Sequence, residues 1–392
     1  MISGLDQIFL QDAHAGQVVE QLLLSNKKWG ARDRNFIAEN LYTVIRYYRL
    51  YCYGAGLTEI STISEAWQVL GAYFIDIDQE GELPAWPEWE GTDRDAVKAS
   101  LAEGRTIRAV AESIPDWIDE LGADEVGEQW PEMLHALNQP APLCIRVNTL
   151  KATMQSVAEF LKSEEIEYST VAELPDAIII QSRKNIRNSY AYKSGWFEVQ
   201  DSSSQLVVPM LDVKPGMKVI DACAGAGGKA LHIAARMCDR GELIAMDIYA
   251  DKLKELESRA RRNSVTCIRT VLSNSSIEHN FKEEADRLLL DVPCSALGVL
   301  RRNPDTKWKL TPHALQEVLT LQQSLLRRYS MMVKPGGIMV YATCSILPSE
   351  NEKQIEDFLA DHPAFQKVSE RRIMPGESGG DGFYICQMIK NI

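Results

Sequence analysis

The chain has 392 residues, 45% hydrophobic and 25% charged, the balance of a soluble globular protein long enough for two or three domains. No apolar run approaches the roughly 20 residues a bilayer needs, and "MISGLDQIFLQDAHAG" lacks the charged start and long apolar centre of a leader peptide, so a cytoplasmic protein without membrane contact is expected. The net charge of −13 argues against a generic polyanion binder, but it is local: residues 1–130 carry 10 Lys and Arg against 23 Asp and Glu, whereas 131–392 carry 32 of each.

Residues 1–130 read as an all-helical domain. "RDRNFIAENLYTVIRYYRLYCYGAG" spaces Phe36, Leu41, Ile45 and Tyr48 by three to five, as on one face of an amphipathic helix. "GELPAWPEWEGTD" (81–93) breaks the pattern with two prolines and reads as a loop. The acidic excess lies mainly in 76–130, with 4 basic and 16 acidic side chains, so a basic groove is expected on 131–392 instead. Residues 131–205 read as a small α+β subdomain: "APLCIRVNTL" as a strand, "TMQSVAEFLKSEE" as a helix and "AIIIQS" as a strand. From 206 to 392 strand, Gly-rich turn and helix alternate, the pattern of an α/β, Rossmann-like doubly wound sheet.

"MKVIDACAGAGGKALHIAARM" (217–237) holds the clearest ligand signal. A strand ends at Asp221, and the turn Cys223, Ala224, Gly225, Ala226, Gly227, Gly228 leads into a helix headed by Lys229. Glycines there let the backbone approach a ligand, and the helix start adds partial positive charge. The next strand ends at Asp247, placed to accept ribose hydroxyls or to cap the helix that follows. No GxxxxGK[ST] occurs, which disfavours a P-loop ATPase. The eight cysteines include no CxxC pair and no zinc-like Cys/His spacing, so free thiols and no metal are expected. Two of them follow strands: Cys294 in "LLLDVPCSALGVLRRNPDTKW" (288–308) and Cys344 in "VYATCSILPSENE" (340–352). Arg301, Arg302, Lys307 and Lys309 could contact phosphates with Trp308 stacking, or form a solvated loop with Trp308 in the core; "RKNIR" (183–187) is a second basic stretch.

"DACAGAGGK", "LLLDVPCSALGVLRRNPDTKW" and "YATCSILPSENE" resemble three ordered motifs of the RsmB/NSUN family of RNA 5-methylcytosine methyltransferases. The resemblance covers about residues 140–390 and includes "RVNTL" (146–150), "GWFEVQDSSSQLV" (195–207) and "GGDGFYICQMIK". "RDRNFIAENLYTVIRYYRL" is similar to the NusB-like helical domain that precedes the catalytic part of bacterial RsmB-type enzymes. The family usually has Pro at Ala226, Thr at Ala230 and Gly at Ala296.

The resemblance implies S-adenosylmethionine as cofactor and RNA as partner, with small-subunit (16S) ribosomal RNA first and transfer RNA second, acted on by a monomer. The 131–205 subdomain would be RRM-like and bind RNA. The resemblance assigns Cys344 as nucleophile and Cys294 to its release, with Asp291 at the cytosine edge and Lys229 near the reacting centre. The cofactor set is the 223–229 turn with Asp247, Asn274 and Asp291. Residue chemistry alone leaves the cysteine roles open, because DNA cytosine methyltransferases attack from a Pro-Cys cysteine, which here is Cys294. Attack of a thiolate on C6 makes C5 nucleophilic, so a covalent adduct divides a difficult step. A non-catalytic RNA or ribosome-assembly protein is the other functional class. An NAD-dependent oxidoreductase would explain the Gly-rich turn but not the two cysteines.

Overall fold

The computed structural model describes residues 1–78, 83–181 and 185–392. Arg183 and Lys184 of the basic stretch and Gly81 and Glu82 of the predicted loop lie outside these residues. Two compact units are present: 1–139 with 300–312, and 140–299 with 313–392.

The first unit is helical, with helices at Ala15–Ser25, Ala31–Arg46, Tyr48–Gly54, Ile63–Ile77, Arg94–Gly104, Asp116–Val126 and Trp130–Leu137 among its elements. Leu41, Ile45 and Tyr48 point into its core, but Phe36 is 52% exposed. Five residues before Leu41, it is turned about 140° from that face, which the loose spacing criterion overlooked. The strip Leu300–Pro312 completes this unit. Lys307 is 1% exposed, and its ammonium donates to the Arg46 carbonyl at 2.9 Å and to Asn138 Oδ1 at 3.2 Å. Burial, then Arg46, holds its pKa well below the usual value. Trp308 Nε1 donates to the Ile45 carbonyl at 2.9 Å, and its ring meets Tyr48 edge-on. Lys309 donates to the Asp12 and Ala13 carbonyls, both at 2.7 Å, and Arg301 is 8% exposed. Phosphate contact from Lys307 is therefore wrong: carbonyls, not solvent, satisfy its ammonium, and Trp308 packs into the core side of the alternative.

The second unit contains both sheets. The smaller has β1 (Leu143–Val147), β2 (Tyr168–Val171), β3 (Leu174–Ile180) and β4 (Phe197–Val199) in the antiparallel order β2-β3-β1-β4. Ile145, Val147, Ile178 and Phe197 form one apolar cluster with Val157 and Leu161 of the helix Met154–Ser163.

The larger sheet contains β5 (Lys218–Asp221), β6 (Glu242–Asp247), β7 (Ile268–Leu272), β8 (Ala285–Asp291), β9 (Val333–Thr343), β10 (Phe365–Ile373) and β11 (Phe383–Lys390). Their order is β10-β11-β9-β8-β5-β6-β7, parallel from β9 to β7, with β11 antiparallel to β9 and β10 antiparallel to β11. Its strands are near-continuous apolar runs because helices cover both faces: Leu288, Leu289 and Leu290 are all 0% exposed. The chain builds outward from β5 to β7, then crosses back to β8. This reversal places the ligand crevice beyond the carboxyl ends of β5 and β8.

Among the described residues no helix is long and apolar enough to cross a membrane, and no His/Cys/Asp/Glu cluster could hold a metal ion.

Candidate active site

Four of the predicted site segments leave the carboxyl edge of the large sheet: the 223–229 turn after β5, Asp247 at the end of β6, Asp291 at the end of β8, and Cys344 just beyond β9. Gly225 (φ 52°) and Gly227 (φ 87°) take left-handed backbone, which explains the glycines. A Cβ at Gly227 would strike Leu256 at 2.5 Å, whereas at Gly225 or Gly228 it would meet nothing within 4 Å. Gly227 seats the helix on its neighbour, and Gly225 and Gly228 leave space above the turn. Asp247 Oδ2 accepts from the Gly225 amide at 2.8 Å and Oδ1 from the Tyr249 amide at 2.9 Å, so the carboxylate braces the turn and leads the next helix. Ile248, Tyr249 and Leu272 are 65%, 61% and 54% exposed beside it. Exposed apolar groups around an open turn suit the flat face of a purine, so these residues fit a nucleoside cofactor. Asn274 lies beyond β7, its carboxamide oxygen accepting the Ser276 amide at 3.0 Å.

Residues outside the motif hold this turn. Arg146 of β1 donates to the Gly228 carbonyl at 2.9 Å, and Arg259 donates to the Ala226 carbonyl at 2.8 Å. Arg259 pairs with Glu198 of β4 at 2.9 Å, and Arg262 and Asn263 also donate to that carboxylate. Burial alone would raise the Glu198 pKa, but Arg259 and the donors around it outweigh burial and hold it down. The fit of the small sheet to the turn explains why "RVNTL" and "GWFEVQ" accompany the glycine motif. Sequence reasoning quoted both segments without finding these partners.

Lys229, at the start of the helix Gly228–Arg236, lies 2.7 Å from Asp291 Oδ2. Burial would lower its pKa, but Asp291 more than offsets this, and Cys344 adds to the rise, so it stays cationic. Cys294 Sγ and Cys344 Sγ are 3.1 Å apart, and both cysteines are half-buried. The hydrogen bond with Cys344, then burial, holds the Cys294 thiol well above its usual pKa. Cys294 therefore holds its proton more firmly than an ordinary thiol, and the Lys229–Asp291 pair leaves the same edge of the sheet. Asp221, behind the turn, is 1% exposed with neither carboxylate oxygen hydrogen-bonded, and burial, then Asp291, pushes its pKa up to about 7. Sequence reading used Asp221 only as a strand end.

Ala296, two residues past Cys294, has φ 58°. A side chain in this region costs about 1–2 kcal/mol relative to right-handed backbone, a cost glycine escapes. Ala296→Gly is therefore expected to stabilise the protein by about 1 kcal/mol despite the added freedom of the unfolded chain. Chemical denaturation of the two proteins measures this, and an unchanged or lower midpoint would show that the loop carries no strain.

A doubly wound sheet with a braced Gly-rich turn at its switch point and two cysteines beside it defines a Rossmann-type domain that takes a nucleoside cofactor. A family model described as 16S rRNA methyltransferase RsmB/F matches residues 208–389, and a second, for the ferredoxin-like domain of RsmF/B-like methyltransferases, matches 114–187. The chain belongs to the RsmB/F methyltransferase family. It is 34% identical over 284 residues to a ribosomal RNA small subunit methyltransferase B of Vibrio vulnificus, covering 70% of this chain and 66% of that one. It is 36% identical over 299 residues to a probable ribosomal RNA small subunit methyltransferase B of Synechocystis, covering 71% and 67%. The chain thus spans about two thirds of the length of these relatives. A crystal structure of a methyltransferase homologue from Pyrococcus horikoshii superposes with a TM-score of 0.65 at 26% identity, covering 72% of this chain and 97% of that one.

Proposed function

We propose that the protein methylates carbon 5 of a cytosine in small-subunit (16S) ribosomal RNA through a covalent cysteine–cytosine adduct. The observation that carries this reading is the 3.1 Å approach of Cys294 and Cys344 beside the Lys229–Asp291 pair. Two sulfurs converging on one crevice suit a reaction in which one makes a bond to C6 and the other helps break it. Family membership and the names of the relatives support ribosomal RNA as the substrate class.

Cys344 is the nucleophile. The raised pKa of Cys294 keeps a proton on that sulfur, which leaves Cys344 as the one to attack. Addition of the Cys344 thiolate to C6 pushes electrons into the ring. Asp291, held by Lys229, contacts the cytosine edge, and the Lys229 cation beside it offsets the charge that builds near N3. A cofactor held by the 223–229 turn and Asp247 would supply the electrophilic methyl group for C5. A water molecule then takes the C5 proton, the freed electron pair re-forms the C5–C6 double bond and expels the Cys344 sulfur as a thiolate, and the Cys294 thiol 3.1 Å away assists by donating a hydrogen bond to it. A base must be unstacked to expose its ring faces, so a single-stranded or loop site in the RNA is implied.

Tritium transfer from labelled S-adenosylmethionine to small-subunit RNA, with bisulfite mapping of cellular RNA with and without the protein, tests the reading. Label at a position other than cytosine C5, or on transfer RNA alone, would overturn it.

Asp247 anchors the cofactor ribose in this reading, through acceptor capacity left beyond the two amides it holds. Asp247→Ala is expected to weaken S-adenosylmethionine binding by about 1–3 kcal/mol, the cost of leaving buried polar groups unpaired. Calorimetry on the folded variant checks this, and unchanged affinity would remove Asp247 from the site.

A further inference from the structure

Each of the two cysteines is followed by a serine, and the two serines meet on one buried carboxylate. Glu350, in the short turn Pro348–Glu350, is 0% exposed. Its Oε1 accepts from the Ser295 amide at 2.7 Å and from Gln322 Nε2 at 3.0 Å. Its Oε2 accepts from the Ser295 hydroxyl at 2.5 Å and also from the Ser345 hydroxyl. The two loops are built alike: the Ser295 hydroxyl accepts the Leu297 amide at 3.4 Å, and the Ser345 hydroxyl accepts the Leu347 amide at 3.2 Å. The Tyr341 hydroxyl on β9 donates to the Glu350 carbonyl at 2.7 Å, and Gln322 also donates to the Pro293 carbonyl at 2.9 Å. The Gly298 amide gives a second link between the loops, donating to the Cys344 carbonyl at 2.9 Å.

Among the described residues no cation pairs with Glu350. Burying a carboxylate without one is costly, and four donors offset that cost only while all of them stay in place. Apolar packing would hold two loops together at lower cost, so what the carboxylate adds is registry. It accepts four hydrogen bonds and donates none, so both serine hydroxyls must turn toward it. That fixes the direction of each loop one residue beyond its sulfur.

We propose that Glu350 is a positioning residue that locks the Cys294 and Cys344 loops in register, so that both sulfurs reach the same carbon of the bound base. This rests on the covalent reading above. The base never touches Glu350; its effect passes through Ser295 and Ser345 to the cysteines. Misplacing a reacting group by about 1 Å can cost on the order of 100-fold in rate, so a loose pair retains RNA and cofactor affinity but loses turnover.

Sulfur spacing can be read without RNA. A trivalent arsenical such as phenylarsine oxide binds firmly only when two thiols bridge it: two As–S bonds form, and both thiol protons leave with the arsenical oxygen as water. The full-length protein is expected to take up one bridged arsenical, lost in both Cys294→Ala and Cys344→Ala. Glu350→Gln turns one acceptor oxygen into a donor facing donors, and Glu350→Ala removes both. Each is expected to slow bridging ~10-fold or more and to cut kcat by on the order of 100-fold, with KM for RNA and cofactor affinity within threefold of the parent. Should the Glu350 variants not fold, Ser295→Ala and Ser345→Ala decide the matter in the same assay by slowing bridging severalfold. Bridging within twofold of the parent in a folded Glu350 variant, or no bridging in the parent itself, overturns the proposal. A parent chain that bridges arsenic through Cys294 and Cys344 yet transfers no methyl to cytosine overturns the covalent reading while leaving Glu350 as the lock between the loops.

Discussion

Replacing Cys344 with Ala is expected to abolish methyl transfer and leave no covalent RNA complex, whereas replacing Cys294 with Ala is expected to leave an RNA adduct that survives denaturing electrophoresis. The two substitutions remove the same atom from sites 3.1 Å apart, so side-chain volume cannot produce opposite outcomes. Without Cys344 nothing attacks C6. Without Cys294 the attack and the methyl transfer proceed, because the Cys344 sulfur and the Lys229–Asp291 pair remain, but the step that frees the sulfur stalls. Misfolding cannot account for a trapped adduct, since trapping needs an assembled site. Turnover in either variant should fall by several orders of magnitude, as for members of a catalytic unit. Denaturing gels with labelled RNA give the result directly. An adduct on Cys344→Ala and none on Cys294→Ala would exchange the roles; activity retained in both would make the cysteines structural.

The second large effect concerns Asp221. Its carboxyl pKa is about 7 in the folded protein against an ordinary 3.8, chiefly through burial and then through Asp291. Between these values the folded chain keeps a proton that the unfolded chain has released, so the contribution of this group to stability is full below the unfolded value and is lost as pH rises to about 7. At 1% exposure there is little solvent to screen the effect, and a shift of this size corresponds to on the order of 4 kcal/mol above pH 7. Asp221→Asn removes the titration. The variant is expected to match the parent only near pH 3, to exceed it by about 1–2 kcal/mol near pH 5 and by on the order of 4 kcal/mol near pH 8, as measured by urea unfolding of cofactor-free protein. Parallel pH profiles for the two proteins would show that Asp221 does not carry the cost.

The parts of the site that were legible in the sequence are local. A strand that ends in an acid, a turn with glycines at left-handed positions and a cysteine at each of two strand ends are all consequences of neighbouring residues, and each lies at the carboxyl edge of the sheet. The parts that were not legible are tertiary. Lys307 follows two arginines and reads equally as a phosphate contact or as part of a solvated loop, yet carbonyls of the helical unit enclose it. Arg146 and Arg259 reach the cofactor turn from 82 and 33 residues away along the chain, a distance over which local pattern carries no information. Glu350 sits in "SENE", which reads as a polar loop at a helix start. The repeated Cys-Ser pair was a signal, but only the meeting of the two loops reveals what the serines share.

The strip Leu300–Pro312 also sets an order of assembly on the ribosome. The first 139 residues leave the exit tunnel without the segment that carries Lys307 and Trp308, and 160 more residues must be made before it arrives. At 5–20 residues per second this is a delay on the order of 10 seconds or more, long compared with helix formation. During it the Ile45 and Arg46 carbonyls and the edge of the Tyr48 ring lack the contacts that Lys307 and Trp308 bring. The N-terminal unit therefore reaches its final form late, after the Gly-rich turn and the first cysteine loop have been synthesised, and a nascent chain halted before residue 300 leaves it unfinished.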